Sequence, residues 1–434
     1  MKGIILQRLL EYSLAILMAS SASNNYNPNS DRTLLQRIQA LDASRRIDVG
    51  KQYIPVLLVQ EHDDDEDPEF FTIGHIHTDL IEQIRTKTND SKSLVYSKHF
   101  LFPPPNEQES PPGWIRNRFF GLKVPKPGLL SRFNEWSIIL GHFTDVLLDC
   151  GIISKKHTDE YPVTDLKDEE GRGPNGSQAI LATINRNAAP YLGITSVGVH
   201  LVAYVRHSST PHDVSLWLAQ RAATKSHNAL RWDPTVAGGQ PMWMGLFENL
   251  VKEAGEEAGI DPQQVTETAS STGCLSQMTC KADGTCMKHS LYYTWDMLVD
   301  SEFVPKAVDG EVAQFELCSA KTLEQEVRHG NRLRPAMILV VTDFLIRHGV
   351  ITPDNEPDYA KILSAMHQPR IVYEYQNDKD GKPKDNRPKT KHKSQGIRYY
   401  CNKRWHHILS DDDEVKANIQ NPDKEHSKSD KTHK

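Results

Sequence analysis

Apolar positions along the chain follow two rhythms, one helical and one strand-like. Between Asp31 and Ala43, residues Leu34, Leu35, Ile38 and Leu41 recur at helical spacing behind an aspartate that predicts an N-cap. Tyr53 to Val59 and Phe70 to Ile76 are short apolar runs flanking the acidic stretch Glu61 to Glu66, a pattern that predicts a hairpin with a polar tip. Beyond a proline-rich turn at Pro103 to Pro112, Phe133 to Cys150 returns to helical spacing through Trp136, Ile139, Phe143, Val146 and Leu147. Trp136 is expected in the core. Residues 31–165 therefore read as a small α+β domain, and the Asp, Glu, Gly and Pro of Tyr161 to Ser177 predict a linker after it.

From Ala188 to Val205 the chain alternates or runs apolar as strands do, through Tyr191-Leu192-Gly193-Ile194 and Val197 to Tyr204. Further strands are expected at Val214 to Ala219, Ser290 to Trp295 and Phe315 to Cys318, the last preceded by a turn at Asp309 to Val312. A final helix is expected at Met337 to His348. Residues 178–365 form the second expected domain, and residues 1–30 are read as a flexible amino-terminal segment. After Gln368 the texture changes. Lys379 to Arg404 holds ten Lys or Arg against two Asp, close to Tyr399, Tyr400 and Trp405, and acidic Asp411 to Glu414 follows. High charge and low hydrophobicity predict a disordered tail over 369–434, although basic residues interleaved with aromatics are also the pattern that binds nucleic acid. The sequence contains no internal repeat.

At 434 residues the chain is long enough for two domains with cores of their own. A formal net charge of −6 gives no global pull toward nucleic acid, so the tail is the only hint of such a partner. The 6 cysteines, Cys150, Cys274, Cys280, Cys286, Cys318 and Cys401, include no CxxC pair and read as ordinary thiols of a reducing compartment. No stretch reaches the roughly 18 apolar residues of a membrane span, so no membrane partner is expected. Lys2 and Arg8 precede an apolar run, Leu14 to Ala19, which has some character of a secretory or mitochondrial signal. Glu11 interrupts that region, and Met18-Ala19-Ser20-Ser21 reads equally as a natural start. A cytoplasmic location is expected, or a mitochondrial one if the segment is a transit peptide.

The chemistry concentrates between Gly238 and Ile260. Glu253, Glu256 and Glu257 stand at i, i+3 and i+4 of an expected helix, one above another on a single face. Like charges that close repel, and the C-terminal end of a helix also disfavours anions, so a compensating charge is required. A divalent cation is the simplest one, and glutamate oxygens suit Mg2+ or Mn2+ acting together with substrate phosphates. Gly259 has the place of a C-cap. Gly255 lies mid-helix, where glycine costs about 1 kcal/mol relative to alanine, and close packing of the preceding loop is one reason to keep it.

These residues resemble the box of the Nudix hydrolases, G-x5-E-x7-R-E-U-x-E-E-x-G-U with U aliphatic, in the register Gly238 to Ile260. Lys252 stands where the box has Arg, Ala254 where it has an aliphatic residue, and Met244 where it has the first Glu. Since those Glu and Arg commonly pair, their joint loss resembles one lost structural ion pair. Other segments are similar to the fungal and plant Nudix subfamily related to thiamine pyrophosphokinase. They are Ala188 to Ile194, Asn249 to Glu253, Asp343 to Gly349 and Asn355 to Tyr359. The resemblance covers roughly residues 31–365 and implies an α+β chain, with a small amino-terminal α+β domain followed by an α/β/α sandwich with a mixed sheet.

The resemblance further implies a metal-dependent hydrolase that cleaves a thiamine-type diphosphate to the monophosphate. Gly238, Glu253, Glu256 and Glu257 would hold Mg2+ or Mn2+, Lys252 would support them, and Glu257 or Glu311 would orient or deprotonate the water, with Glu316 as rival to Glu311. Arg221 and Lys225 would reach the diphosphate. Trp217, Trp243 and Trp232 are candidates for stacking on a cationic ring. The partner would be a small-molecule diphosphate, and a homodimer is left open. The competing reading is a binding module that hydrolyses nothing, and a nucleoside diphosphate derivative is the alternative substrate.

Overall fold

The structure is a computed structural model that describes residues 32–42, 53–60, 69–88, 99–102, 119–124, 131–164, 180–225, 227–280 and 285–367. The segment 1–30, the acidic stretch between the first two strands, the proline-rich turn, most of the expected linker and the tail 369–434 with Cys401 lie outside the described residues.

Helix α1 (Leu34–Leu41) starts three residues after the aspartate expected to cap it. Thr33 is the cap. Its hydroxyl accepts from the Gln36 amide at 3.2 Å, and the Gln36 side chain accepts from the Thr33 amide at 2.9 Å, so two orphan donors of the first turn are satisfied reciprocally. Strands β1 (Tyr53–Gln60) and β2 (Glu69–His77) form the antiparallel pair that the apolar runs predicted. Helix α2 (Thr78–Thr88) follows β2 directly and had not been read from the sequence; Leu80, Ile81 and Ile84 are its buried stripe. With β3 (Phe100–Leu101) and β4 (Phe120–Val124) the sheet order is β2-β1-β4-β3. Helix α3 (Arg132–Asp149), capped by Ser131, lays a fully buried Trp136 into the core over this sheet.

Strand β5 (Glu160–Thr164) pairs antiparallel with β6 (Ile180–Asn185), and Ala182 and Ile184 join the same core as Trp136. Residues 189–192, expected as strand, form instead a 3-10 turn, with Pro190 near its start and Gly193 at φ +63°. The left-handed residue explains the difference, since it reverses the chain before β7 can begin.

The second sheet comprises β7 (Ser196–Arg206), β8 (Val214–Arg221), β9 (Trp232–Asp233), β10 (Val236–Gly239), β11 (Ala269–Cys280), β12 (Met287–Leu298) and β13 (Val312–Ser319). Its order is β11-β12-β7-β8-β13, with β10 paired to β7 and β9 to β8. β12 runs parallel to β7 and the other pairs are antiparallel, so the sheet is mixed. Alternation along β7 assigns the two faces. Val199, Leu201, Ala203 and Val205 pack with Leu250, Ala254 and Ala258 of helix α4 (Leu246–Ala258) and with Val265 of α5 (Pro262–Thr268). Val202 and Tyr204 face the other way, onto α1, α6 (Ala320–His329), α7 (Met337–Arg347) and α8 (Tyr359–Met366). Helices cover both faces of a mixed sheet, which is the α/β/α sandwich within an α+β chain.

The two sheets meet through specific backbone contacts. A Cβ on Gly74 of β2 would lie 1.9 Å from the Leu192 carbonyl oxygen, so only glycine admits the 3-10 turn there. Cys150, Cys280 and Cys318 are free thiols. No helix among the described residues is long and apolar enough to cross a membrane.

Candidate functional site

Helix α4 presents its glutamates where the sheet delivers β10. Gly245 precedes the helix, and Gly259 ends it at φ +62° with its amide bonded back to Gly255, so the chain turns sharply after Ala258. Two buried amides that the sequence reading had passed over fix the loop between β10 and the helix. Asn249 donates to the Gly239 carbonyl at 3.0 Å, and Gln240 donates to the carbonyl of Met244 at 2.5 Å and of Pro241 at 3.1 Å. Gly238 then faces the helix with no side chain of its own. A Cβ there would fall 2.3 Å from Glu253 Cγ, so the glycine is what lets Glu253 lie against the strand.

The three glutamates have different surroundings. Glu257 is 8 % exposed and accepts the Ala237 amide hydrogen at Oε2, 2.9 Å away. Burial pushes its carboxyl up to about 8 against that hydrogen bond, with the nearby Glu253, Asp233 and Asp309 charges adding to the rise. Burial also raises the Glu253 carboxyl, opposed by Lys252 and reinforced by Glu256 and Glu311. Glu256 is the outermost, with its side chain 53 % exposed. Lys252 bridges the cluster, its Nζ 3.1 Å from Glu253 Oε1 and 2.7 Å from Glu256 Oε2. Burial works against the charged ammonium, but the two carboxylates outweigh it and hold Lys252 above the ordinary lysine range.

Among the described residues, no three or more His, Cys, Asp or Glu side chains converge as a ready metal-binding group. The donor set nonetheless fits a hard cation. The Glu253 charge raises the proton affinity of Glu257, Glu256 raises that of Glu253, and the Lys252 ammonium already sits as a cation between Glu253 and Glu256.

A cleft opens beside Glu257, where β10 and β8 diverge. It is lined by Arg221, Lys225, Asp233, Ala237, Glu257 and Glu311, with Ala219, Pro234 and Val312. Arg221 and Lys225 thus share one cleft with Glu257, as does Glu311. Lys225 is ion-paired to Glu311, and the Arg221 Nη1 donates to Asp233 at 2.9 Å. Asp233, absent from the sequence reading, is 4 % exposed and takes a second guanidinium, Arg334 Nε, at 2.5 Å. A lone aspartate in a two-residue strand carries no pattern that would have marked it.

Other candidates stand elsewhere. Glu316 pairs with Arg332 and accepts from the Cys318 thiol, away from the cleft-lining residues. Trp217 packs against the core beneath α4, Trp232 is buried under the Arg332 guanidinium at 4.8 Å, and Trp243 is 63 % exposed; none of the three lines the cleft. Gly255 meets no close neighbour, since a Cβ there would find only the Ile260 carbonyl at 3.8 Å. The expected packing reason for that glycine is therefore absent.

No family model matches the chain. Curated relatives do. Nudix hydrolase 24, chloroplastic, of Arabidopsis thaliana is 32% identical over 247 residues, 57% of this chain and 63% of that protein. Nudix hydrolase 20, chloroplastic, of the same plant is 33% identical over 210 residues, 48% of this chain and 52% of that protein. The chain is similar to Nudix hydrolases. An uncharacterized protein of Saccharomyces cerevisiae is 32% identical over 194 residues, covering 43% of this chain and 56% of its own length. The chain thus spans between about half and two thirds of the curated relatives it matches. Solved structures similar to it include the MutT protein of Methanosarcina mazei, at 16% identity and a TM-score of 0.27 over 36% of this chain and 94% of that one. A Caenorhabditis elegans Ap4A hydrolase complex gives 16% and 0.27 over 36% and 99%. The fold rests on the strand order and layers above, not on these scores.

Proposed function

We propose that this chain is a Nudix hydrolase that cleaves the diphosphate of a small molecule with the help of Mg2+ or Mn2+. The observation that carries the reading is the cleft in which Glu257, Glu311, Arg221 and Lys225 meet beside the Gly238–Glu253 contact. A diphosphate is anionic and resists attack by water. A divalent cation held by Glu253, Glu256 and Glu257 would neutralise it and acidify a bound water. The protein's own groups do the rest. Arg221 and Lys225 bind and orient the phosphates. Glu257, held at Oε2 by Ala237, takes the proton of the attacking water at its carboxylate. Glu311, released from Lys225 when a phosphate takes that lysine, orients the water.

For the rest of the substrate we propose a thiamine-type group, supported by the resemblance of Ala188 to Ile194, Asp343 to Gly349 and Asn355 to Tyr359 to the thiamine pyrophosphokinase-related subfamily. The names of the plant relatives place those proteins in chloroplasts; for this chain we propose the cytoplasm, or mitochondria if its amino-terminal segment is a transit peptide. One observation favours a second reading, a module that binds without hydrolysing: Lys252 already occupies two of the three glutamates.

The deciding assay is orthophosphate release from thiamine diphosphate and its oxidised analogues, and formation of the two monophosphates from ADP-ribose and NADH, with Mg2+ or Mn2+, comparing wild type with Glu257→Gln. Metal-dependent turnover that falls on the order of 10²- to 10⁴-fold in the variant is expected. Absence of metal-dependent turnover across the panel would move the function to binding.

A further inference from the structure

Asp233 joins the cleft to an element that does not line it. The aspartate is buried, it lines the cleft, and its two oxygens are shared: Oδ2 accepts from Arg221 Nη1 at 2.9 Å and Oδ1 from Arg334 Nε at 2.5 Å. Arg221 comes from β8 and stands in the cleft with Lys225, Glu257 and Glu311. Arg334 is not among the cleft-lining residues. It comes from the loop before α7, and its neighbours Leu333 and Met337 are buried in the core on the face of the sheet away from α4.

Arg334 is fastened to β9 by backbone as well as by side chain. The Trp232 amide donates to the Arg332 carbonyl at 3.0 Å, and the Arg334 amide donates to the Trp232 carbonyl at 2.9 Å, so residues 332–334 run alongside β9. Arg221 is held less firmly. Its Nη2 reaches the His227 carbonyl at 3.3 Å, and its buried Nε meets no acceptor among the described residues. The charge-assisted bond to Asp233 is therefore the one that aims the Arg221 guanidinium. Charge counting adds a second consequence. One carboxylate against one guanidinium is a neutral pair, from which an anion gains little, whereas one carboxylate shared by two guanidinia leaves the group positive.

We propose that Arg334 is a positioning residue for the cleft: by sharing Asp233 it holds Arg221 in place and keeps the Arg221 charge free for a diphosphate. The proposal rests on the hydrolase reading, in which Arg221 binds the phosphates. Arg334 itself touches no substrate. It acts from the far side of the sheet through one buried carboxylate, and its planar guanidinium supplies the second charge that Asp233 needs.

The test is steady-state turnover of thiamine diphosphate and ADP-ribose by the full chain with Mg2+. Arg334→Gln should raise KM roughly tenfold, as loss of one charge-assisted hydrogen bond entails, with little change in kcat. Arg334→Lys, which keeps the charge beside Asp233, should stay within a few-fold of wild type. Added to Arg221→Gln, the Arg334→Gln change should move KM no further. Arg332→Gln alters the same segment at a residue paired with Glu316, and should leave KM unmoved. An unchanged KM in Arg334→Gln, an equal rise with Arg221 already replaced, or an equal rise in Arg332→Gln would overturn the proposal. So would a fall in kcat alone, which is what a merely looser fold gives. Should Arg334→Gln not melt cooperatively, Asp233→Glu takes its place: the longer carboxylate displaces the guanidinium, and KM should rise only while Arg221 is present. If neither substrate turns over, the hydrolase reading falls, and the same cycle is read from dissociation constants for inorganic pyrophosphate with Mg2+. Weakening by Arg334→Gln that vanishes in the Arg221→Gln background sustains the positioning role; no binding by the wild type, or weakening that persists, overturns it.

Discussion

Gly238→Ala places one methyl group where the strand meets the helix. Its carbon would lie 2.3 Å from Glu253 Cγ and 2.5 Å from Cδ. Unstrained carbon contacts begin near roughly 3.5 Å, so the Glu253 side chain must move by about 1 Å. The stability cost should fall near the low end of overpacking, about 1 kcal/mol, because the displaced atoms belong to a side chain that can rotate rather than to backbone. The functional cost should be larger. A reacting or positioning group misplaced by about 1 Å costs on the order of a hundredfold in rate. Phosphate release by a variant that still melts cooperatively within a few degrees of wild type is therefore the informative assay. A double-mutant cycle isolates the cause: with Glu253→Ala already present, adding Gly238→Ala should no longer change stability. If the cost of Gly238→Ala persists undiminished in that background, or if the single variant retains full turnover, the contact is not what requires the glycine and the reasoning fails.

Gly255→Ala should act in the opposite direction, since the added methyl finds open space and the helix gains about 1 kcal/mol; a thermal or denaturant melt showing destabilisation would contradict this. Asp233→Asn should destabilise by about 3 kcal/mol, because it leaves Arg221 and Arg334 without their shared carboxylate, and an unchanged denaturant midpoint would show the pair to be dispensable. The His200 contribution to stability should fall as pH drops below 6.5, while the Glu257 carboxyl, raised to about 8 in the fold, contributes in the opposite direction between 8 and 4.5. His200 stays neutral in the fold down to about 3 while the unfolded chain takes up its proton from 6.5 downward, so the contribution is complete above 6.5 and about 2 kcal/mol is lost by pH 5. His200→Gln should tilt the profile toward greater stability on acidification between 6.5 and 5, relative to wild type; an unaltered slope would remove His200 as a contributor.

Much of the site was legible because its elements are local. Glutamates at i, i+3 and i+4 share a helix face wherever the helix is placed, and a glycine after the last apolar position ends it, so α4 and the order of Glu253, Glu256 and Glu257 follow from spacing. The same holds for β7, whose alternation announced two buried faces, and for α3, whose buried stripe includes Trp136. Local reading failed where one residue outweighed a pattern. Left-handed Gly193 made a turn of an apolar run, and Thr33 capped α1 in place of an upstream aspartate because Gln36 stood three residues on to complete the reciprocal pair.

Residue spacing established that strands and helices alternate, where the acidic helix lies, and that three carboxylates crowd one side of it. Tertiary structure alone decided what surrounds them. Asp233 meets Arg334 across 101 residues, and Glu311 and not Glu316 reaches the cleft. Gly238 is required and Gly255 is not. Periodicity fixes which face of its own element a side chain occupies, within a few residues along the chain. Which elements face one another depends on strand order and on the turns that set it, and those contacts, with the burial and charge they impose, have no counterpart in local spacing.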